Sequence, residues 1–308
     1  MIYFFAIIIL MVVFGMIKYP EQFGGYVVRL TTTIESSLYG LTPTQVSVAG
    51  VNYYLLASST GKTPKPALLL LHGFSADHTV WLRCAKHLTK DYHVIIPDLA
   101  GHGQTGYQAD ANYSIPAQTE RVAQLIDVLG LNQVHIAGNS MGGFIAAQFA
   151  ISYPEKTLSI ICIDPAGVTP PQPSQLQTLA QQGRNPFFMD HAEQFPTFFE
   201  LTMAKPPYIP NSVKLFKAHQ YVARRPELEH IAKDFYDPDH LLDEKLQHIL
   251  CPVLMLWGAK DAIIDISCAP VWQEKTQAVS IVWDDLGHMP MLEAPKQTAD
   301  EIIRFITH

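Results

Sequence analysis

The feature that most restricts the fold of this chain is a repeated alternation. Short, almost wholly apolar runs ("PALLLLHG", "YHVIIPD", "VHIAG", "LSIICID", "CPVLMLWG", "VSIVWDD") are separated by stretches with helical spacing. A strand with one wet face would carry a polar residue at every second position, so uninterrupted apolar runs predict strands covered on both sides. Between them "ADHTVWLRCAKHL", "SIPAQTERVAQLIDVLG", "MGGFIAAQFAISY", "APVWQEKTQ" and "KQTADEIIRFITH" read as helices, with Gly130 and Pro154 as stops. Upstream, "TQVSVAGVNYYLLAS" reads as two strands around Gly50. The expectation is an α/β fold: a mostly parallel sheet with helices on both faces, whose functional groups gather at the carboxyl ends of the strands.

Two regions depart from this rhythm. Residues 168–240 are rich in proline and carry Phe187, Phe188, Phe195, Phe198, Phe199, Met203 and Tyr208. They are too long for a loop and poor in strand signals, which predicts a helical cap laid over the sheet's carboxyl edge. Its aromatics are expected to be mostly local core, the remainder lining an apolar pocket. At the other end, Met1 to Ile17 holds no charged side chain. Seventeen helical residues reach about 25 Å against a hydrocarbon layer of about 30 Å, the short end of the spanning range. The segment has neither a basic stretch before it nor a small-residue cleavage site after it, so an uncleaved anchor is preferred to a signal peptide removed on secretion. Lys18 and Arg29 follow it and nothing basic precedes it, which places the rest of the chain on the cytoplasmic side. The division expected is 1–17 anchor, 18–44 linker, 45–167 first part of the core, 168–240 cap and 241–308 second part of the core.

A net charge of -7 offers no basic footprint for nucleic acid. The four cysteines lack metal or CxxC spacing and read as inert core thiols.

"GNSMG", from Gly138 to Gly142, fits GxSxG with an apolar strand before it and a helix after it, the context in which the serine is raised at the sheet's edge. Ser140 is therefore the candidate nucleophile. A hydroxyl is a weak nucleophile near neutral pH, so a base must take its proton and a third group must orient that base. His288, in "DDLGHMP" after the last strand, is the candidate base, whereas His72 in "LHGF" reads as a residue that orders its own loop. Asp261, in "GAKD", is the favoured acid and Asp164, in "ICID", the alternative, both preserving the order Ser, Asp, His. Asp284 and Asp285 read as solvated turn residues. The backbone N–H groups of Phe74 and Met141 are candidates for an oxyanion hole.

Together, "LLLLHGFSADHTVWLRCAKHL", "VIIPDLAGHGQT", "GNSMGG", "LWGAKDAIID" and "LGHMPMLEAPKQTAD" resemble the alpha/beta-hydrolase superfamily from about Ala67 onward. Within it the chain is most similar to membrane-anchored monoacylglycerol lipases and to bacterial lipases sharing a "KPPYIPNSVK"-like cap segment. The resemblance implies the alpha/beta-hydrolase fold, a triad of Ser140, Asp261 and His288, an oxyanion hole at Phe74 and Met141, and neither a metal nor an organic cofactor. It implies an esterase or lipase acting on acylglycerols such as monoacylglycerol, tethered to a membrane by its amino-terminal segment. "GNSMGG" also resembles hydrolases that cleave carbon–carbon bonds in ring-cleavage dienones, and a non-catalytic ligand-binding member of the fold is the third reading. The oligomeric state leaves no mark in the sequence.

Overall fold

The computed structural model describes residue 15, residues 17–61 and residues 64–307. The anchor expected over 1–17 lies almost wholly outside them, and no helix among the described residues is long and apolar enough to cross a membrane.

Within 18–44, read from the sequence as linker, Pro20–Leu38 form helix α1. Its pattern is easily missed because Gly24, Gly25 and three consecutive threonines are poor helix formers. Tertiary packing supplies what propensity withholds: a β-carbon on Gly24 would stand 1.9 Å from the Ser212 carbonyl oxygen, so only glycine lets the two helices approach so closely.

Strands β1 (Leu41–Val48) and β2 (Val51–Ser58) form the expected hairpin around Gly50. The chain then runs β3 (Ala67–Leu71), α2 (Leu82–Leu88), β4 (His93–Pro97), α3 (Ile115–Val128), β5 (Val134–Asn139), α4 (Met141–Ser152) and β6 (Thr157–Ile163). Four helices follow: α5 (Gln175–Gln181), α6 (Phe195–Thr202), α7 (Asn211–Ala223) and α8 (Arg225–Phe235). Then come β7 (Val253–Gly258), α9 (Cys268–Thr276), β8 (Val279–Trp283), α10 (Pro290–Glu293) and α11 (Pro295–Thr307).

The eight strands form one sheet in the order β1-β2-β4-β3-β5-β6-β7-β8, parallel from β4 to β8. Every residue of β3 is buried, as its unbroken apolar run requires. Leu69 and Leu71 enter the core under α3, α4 and α9, and Leu68 and Leu70 enter the core under α2 and α11. This is the alpha/beta-hydrolase fold, and its parallel strands deliver β3, β5, β6, β7 and β8 to one edge. Of the cysteines, Cys84, Cys162 and Cys268 are buried and Cys251 is half-buried, all as free thiols.

Candidate active site

Ser140 stands between β5 and α4 with φ 56° and ψ -118°. A residue with a β-carbon holds such a conformation only where its surroundings impose it. Here the Ser140 N–H donates to the Ile163 carbonyl at 3.0 Å, and its own carbonyl accepts from the N–H of Phe144 and of Ala166, each at 3.1 Å. The turn leaves no room for side chains beside it. A β-carbon on Gly138 would lie 2.1 Å from the Gly142 carbonyl oxygen, and one on Gly142 would lie 2.4 Å from that of Leu71.

Strand β8 ends in the loop that carries His288, and β7 in the loop that carries Asp261. His288 Nδ1 lies 2.7 Å from Asp261 Oδ2, with the Asp261 side chain fully buried. The other carboxylate oxygen, Oδ1, accepts from the N–H groups of Ile263 at 2.7 Å and Ile264 at 3.0 Å, so the acid is fixed on both sides. A ring whose Nδ1 faces a carboxylate keeps its proton there and leaves Nε2 to act as base. Ser140 and His288 line the same cavity, of about 390 Å³.

Asn139 ties this arrangement to the sheet: its amide donates to the His288 carbonyl at 2.9 Å and to the Ile163 carbonyl at 3.2 Å. The motif leaves that position open, so no sequence signal marks it. Asp164, the alternative acid, ends β6 and is fully buried, but it is Asp261 that bonds the imidazole. Asp164 Oδ1 accepts from the Gly258 N–H at 2.9 Å. Burial first, and then the charge of Asp261, push its carboxyl well above the usual range. Asp284 and Asp285 are exposed, and Asp285 pairs with Lys205. Among the described residues, Asp164, Asp261 and His288 are also the cluster whose donor atoms, all within 4.8 Å of one another, are spaced to hold a metal ion. The short Nδ1···Oδ2 contact accounts for the approach of His288 and Asp261 by a shared proton.

Met141 opens α4, so its N–H has no acceptor within the helix. Phe74 follows Gly73, whose backbone lies so close that an added β-carbon would sit 3.1 Å from Ser140 Cβ. His72 orders this loop. Its Nε2 accepts from the Leu99 N–H at 3.0 Å, which leaves Nδ1–H to donate to the Gly73 carbonyl at 2.8 Å. Burial pulls the His72 pKa down, in keeping with a neutral ring holding one fixed tautomer.

The sequence pattern of the alpha/beta hydrolase fold family matches residues 66–295. The chain belongs to this family. Lipase 3 of Moraxella sp. (strain TA144) is 33% identical over 278 residues, covering 88% of this chain and 86% of its own length. Monoacylglycerol lipase abhd6-B of Xenopus laevis is 29% identical, covering 83% of this chain and 80% of its own. Among solved structures, a bacterial membrane phospholipase A superposes with a TM-score of 0.89 at 32% identity, covering 99% of this chain and 97% of that one.

The hydrolase's cavity shares its wall with the core. Phe187, Phe195 and Phe198 belong to the buried core, with Phe188 and Phe199 packed against it, and Phe187, Phe195, Phe198, Phe199, Met203 and Tyr208 also border the cavity, so most of these side chains serve as core and pocket wall at once. Opposite them α1 contributes Val27, Val28, Thr31, Thr32 and Glu35. Nothing in the sequence reveals that contribution, because α1 is held at the cavity by its packing on α7 and by the Glu35–Arg83 pair to α2.

Proposed function

We propose that this lipase/esterase-class hydrolase works through Ser140, His288 and Asp261. Ser140 Oγ attacks the ester carbonyl carbon while His288 Nε2 takes the hydroxyl proton, and Asp261 stabilises the imidazolium from the Nδ1 side. The carbonyl oxygen, now negative, accepts from the Phe74 and Met141 N–H groups, each donor contributing about 3 kcal/mol. His288 returns the proton to the alkoxide, the alcohol leaves, and Ser140 keeps the acyl group. Water then attacks with His288 again as base, releasing the fatty acid and restoring the serine. The observation that carries this reading is the Asp261–His288 hydrogen bond at the rim of a cavity that also holds the strained Ser140.

Acylglycerols such as monoacylglycerol are the proposed substrates, the acyl chain lying among Phe187, Phe195, Phe198 and Phe199 of the cap, residues 168–240. The names of the lipase and monoacylglycerol lipase relatives agree with this. Cleavage of anionic dienones finds less support. Arg184, the one arginine between Gly167 and Val222, is exposed and bonded to Gln182. The two lysines on the cavity wall are engaged, Lys214 over the Phe199 ring and Lys217 with Asp77.

Membrane association is proposed to rest on residues 1–17 as a single anchor, with the catalytic part on the cytoplasmic side. The outward face of α1 supports it. Tyr26, Leu30 and Ile34, one helical turn apart, are 57%, 43% and 47% exposed. Both acids of the helix are turned to protein partners instead, Glu21 to His219 and Glu35 to Arg83. An apolar face without carboxylates, directly following an apolar segment, suits the surface of an anionic bilayer.

A fluorophosphonate probe tests the chemistry. Labelling of the wild type that disappears in Ser140→Ala, together with acylglycerol turnover lost in the same variant, is the expected result. An unlabelled, folded wild type would leave a binding protein in place of an enzyme.

A further inference from the structure

The mechanism uses one carboxyl behind His288, yet the fold buries two. Asp164 closes β6 in a left-handed backbone conformation, φ 44°, that brings its side chain to the loops after β7 and β8. Its Oδ1 is held by the Gly258 N–H, while Oδ2 is buried without a hydrogen-bond donor. Asp164, Asp261 and the His288 ring have donor atoms within 4.8 Å of one another. Among the described residues Glu293 of α10, also an acid, acts on Asp164 too, and it accepts from the N–H groups of Gly287 and Met289. Among the described residues no lysine or arginine forms an ion pair with Asp164, and its hydrogen-bonded partner is the Gly258 N–H. Two ionised carboxylates in this place would repel each other with no solvent to screen them, whereas one proton between them turns the repulsion into a hydrogen bond.

We propose that Asp164 is a neutral carboxylic acid that donates its Oδ2 proton to Asp261, and that it stands as a reserve acid able to orient His288 when Asp261 cannot. This rests on the triad reading given above. In the resting enzyme Asp164 is a positioning residue. It binds the Asp261 carboxylate from behind, as the Ile263 and Ile264 N–H groups bind it from the side, and keeps the net charge facing the imidazole at one. When Asp261 is replaced by asparagine, the repulsion that adds to burial in keeping Asp164 protonated is gone, while burial still disfavours its charge. Asp164 then releases its proton to solvent as His288 takes the Ser140 proton, the new imidazolium charge offsetting the buried carboxylate, and becomes the anionic partner of His288. The pair thereby sets both acids that the sequence offered beside one imidazole, with donor atoms within 4.8 Å of one another, and Asp261 is the one that bonds it.

The test is a four-way comparison in the full-length protein: wild type, Asp164→Asn, Asp261→Asn and the double variant. Each is read by kcat/KM against pH on a soluble short-chain ester, with Ser140→Ala and His288→Ala alongside to test the triad independently. An asparagine amide donates as the neutral acid does. Asp164→Asn is therefore expected to keep kcat/KM within about three-fold and to leave the acid limb of the pH profile in place. Asp261→Asn is expected to retain at least ten-fold more activity than His288→Ala, and the double variant to fall to the level of His288→Ala, the regime where loss of the orienting carboxylate costs about 10⁴-fold. An acid limb that moves down by half a pH unit or more in Asp164→Asn would mean that the residue is charged and would overturn the proposal. So would an Asp261→Asn variant no more active than the double. Activity of the wild type lost on chelation and restored by a divalent cation would replace the proton by a metal and overturn it as well. Should Asp164→Asn not fold, carbon-13 labelling of the aspartate carboxyls in the wild type supplies the answer. One carboxyl resonance at the protonated position near pH 7 upholds the assignment, and none refutes it.

Discussion

Replacing Gly142 by alanine isolates the geometry on which the proposed chemistry depends. The new β-carbon would stand 2.4 Å from the Leu71 carbonyl oxygen and 2.8 Å from that of His72, backbone atoms that cannot rotate away. Ordinary contact begins near 3.4 Å, so the start of α4 and the end of β3 must separate by about 1 Å. The first carries Ser140 and the Met141 N–H; the second leads into the Phe74 N–H. An oxyanion donor works at about 2.7–3.1 Å, so such a separation removes one of the two and lowers kcat by about 100-fold. The same overpacking costs about 1–3 kcal/mol of stability, each lowering the melting temperature by roughly 2–4 °C. The assay is hydrolysis of a soluble nitrophenyl ester with thermal unfolding followed in parallel. Gly130→Ala serves as the comparison, since Gly130 has φ +69° with nothing within 4 Å of an added β-carbon; it loses stability through backbone strain and leaves kcat unchanged. A folded Gly142→Ala enzyme with kcat within three-fold of the wild type would show that the close approach is not what aligns the site.

Stability is expected to depend on pH through His78. Burial works against its charge, but the hydrogen bond from Nδ1 to Asp98 at 2.8 Å and the charge of that carboxylate outweigh it, raising the folded-state pKa. A histidine raised on folding stabilises fully below its unfolded value of about 6.5 and loses that contribution as pH rises through the folded value. The melting-temperature gap between wild type and His78→Gln should therefore narrow from pH 6 to pH 9, and a constant gap would refute the charge. On the outer face of α1, Tyr26→Ser, Leu30→Ser and Ile34→Ser together should raise KM for acylglycerol presented in anionic vesicles at least several-fold while leaving kcat/KM on the soluble ester unchanged. Equal effects on both substrates would mean that the face serves packing rather than lipid.

How much was legible follows from where the information resides. Apolar runs such as "ALLLL" fix strands buried on both faces, and GxSxG between a strand and a helix fixes a raised serine, because backbone sterics and burial act on neighbours in sequence. Those local rules were enough for the parallel sheet, for Ser140 and for His72 as the residue that orders its loop. The sequence favoured Asp261 over Asp164 as the acid, but local rules kept both open. Both follow neighbouring strands, and the reach of the loop after β7 brings Asp261 to the imidazole. Local rules could not give the role of α1, which composition gives as a linker and packing on α7 turns into a wall of the cavity. The sequence by itself determined the strands and helices of the parallel sheet and the residue types at the strand ends, since each depends on the chain within a few residues, whereas helix α1 took tertiary packing. Tertiary structure alone decided which of those ends meet. Ile160 of β6 pairs with Val253 of β7, and Gly24 of α1 meets Ser212 of α7, so these distances are set by the packing of whole elements rather than by any stretch of chain.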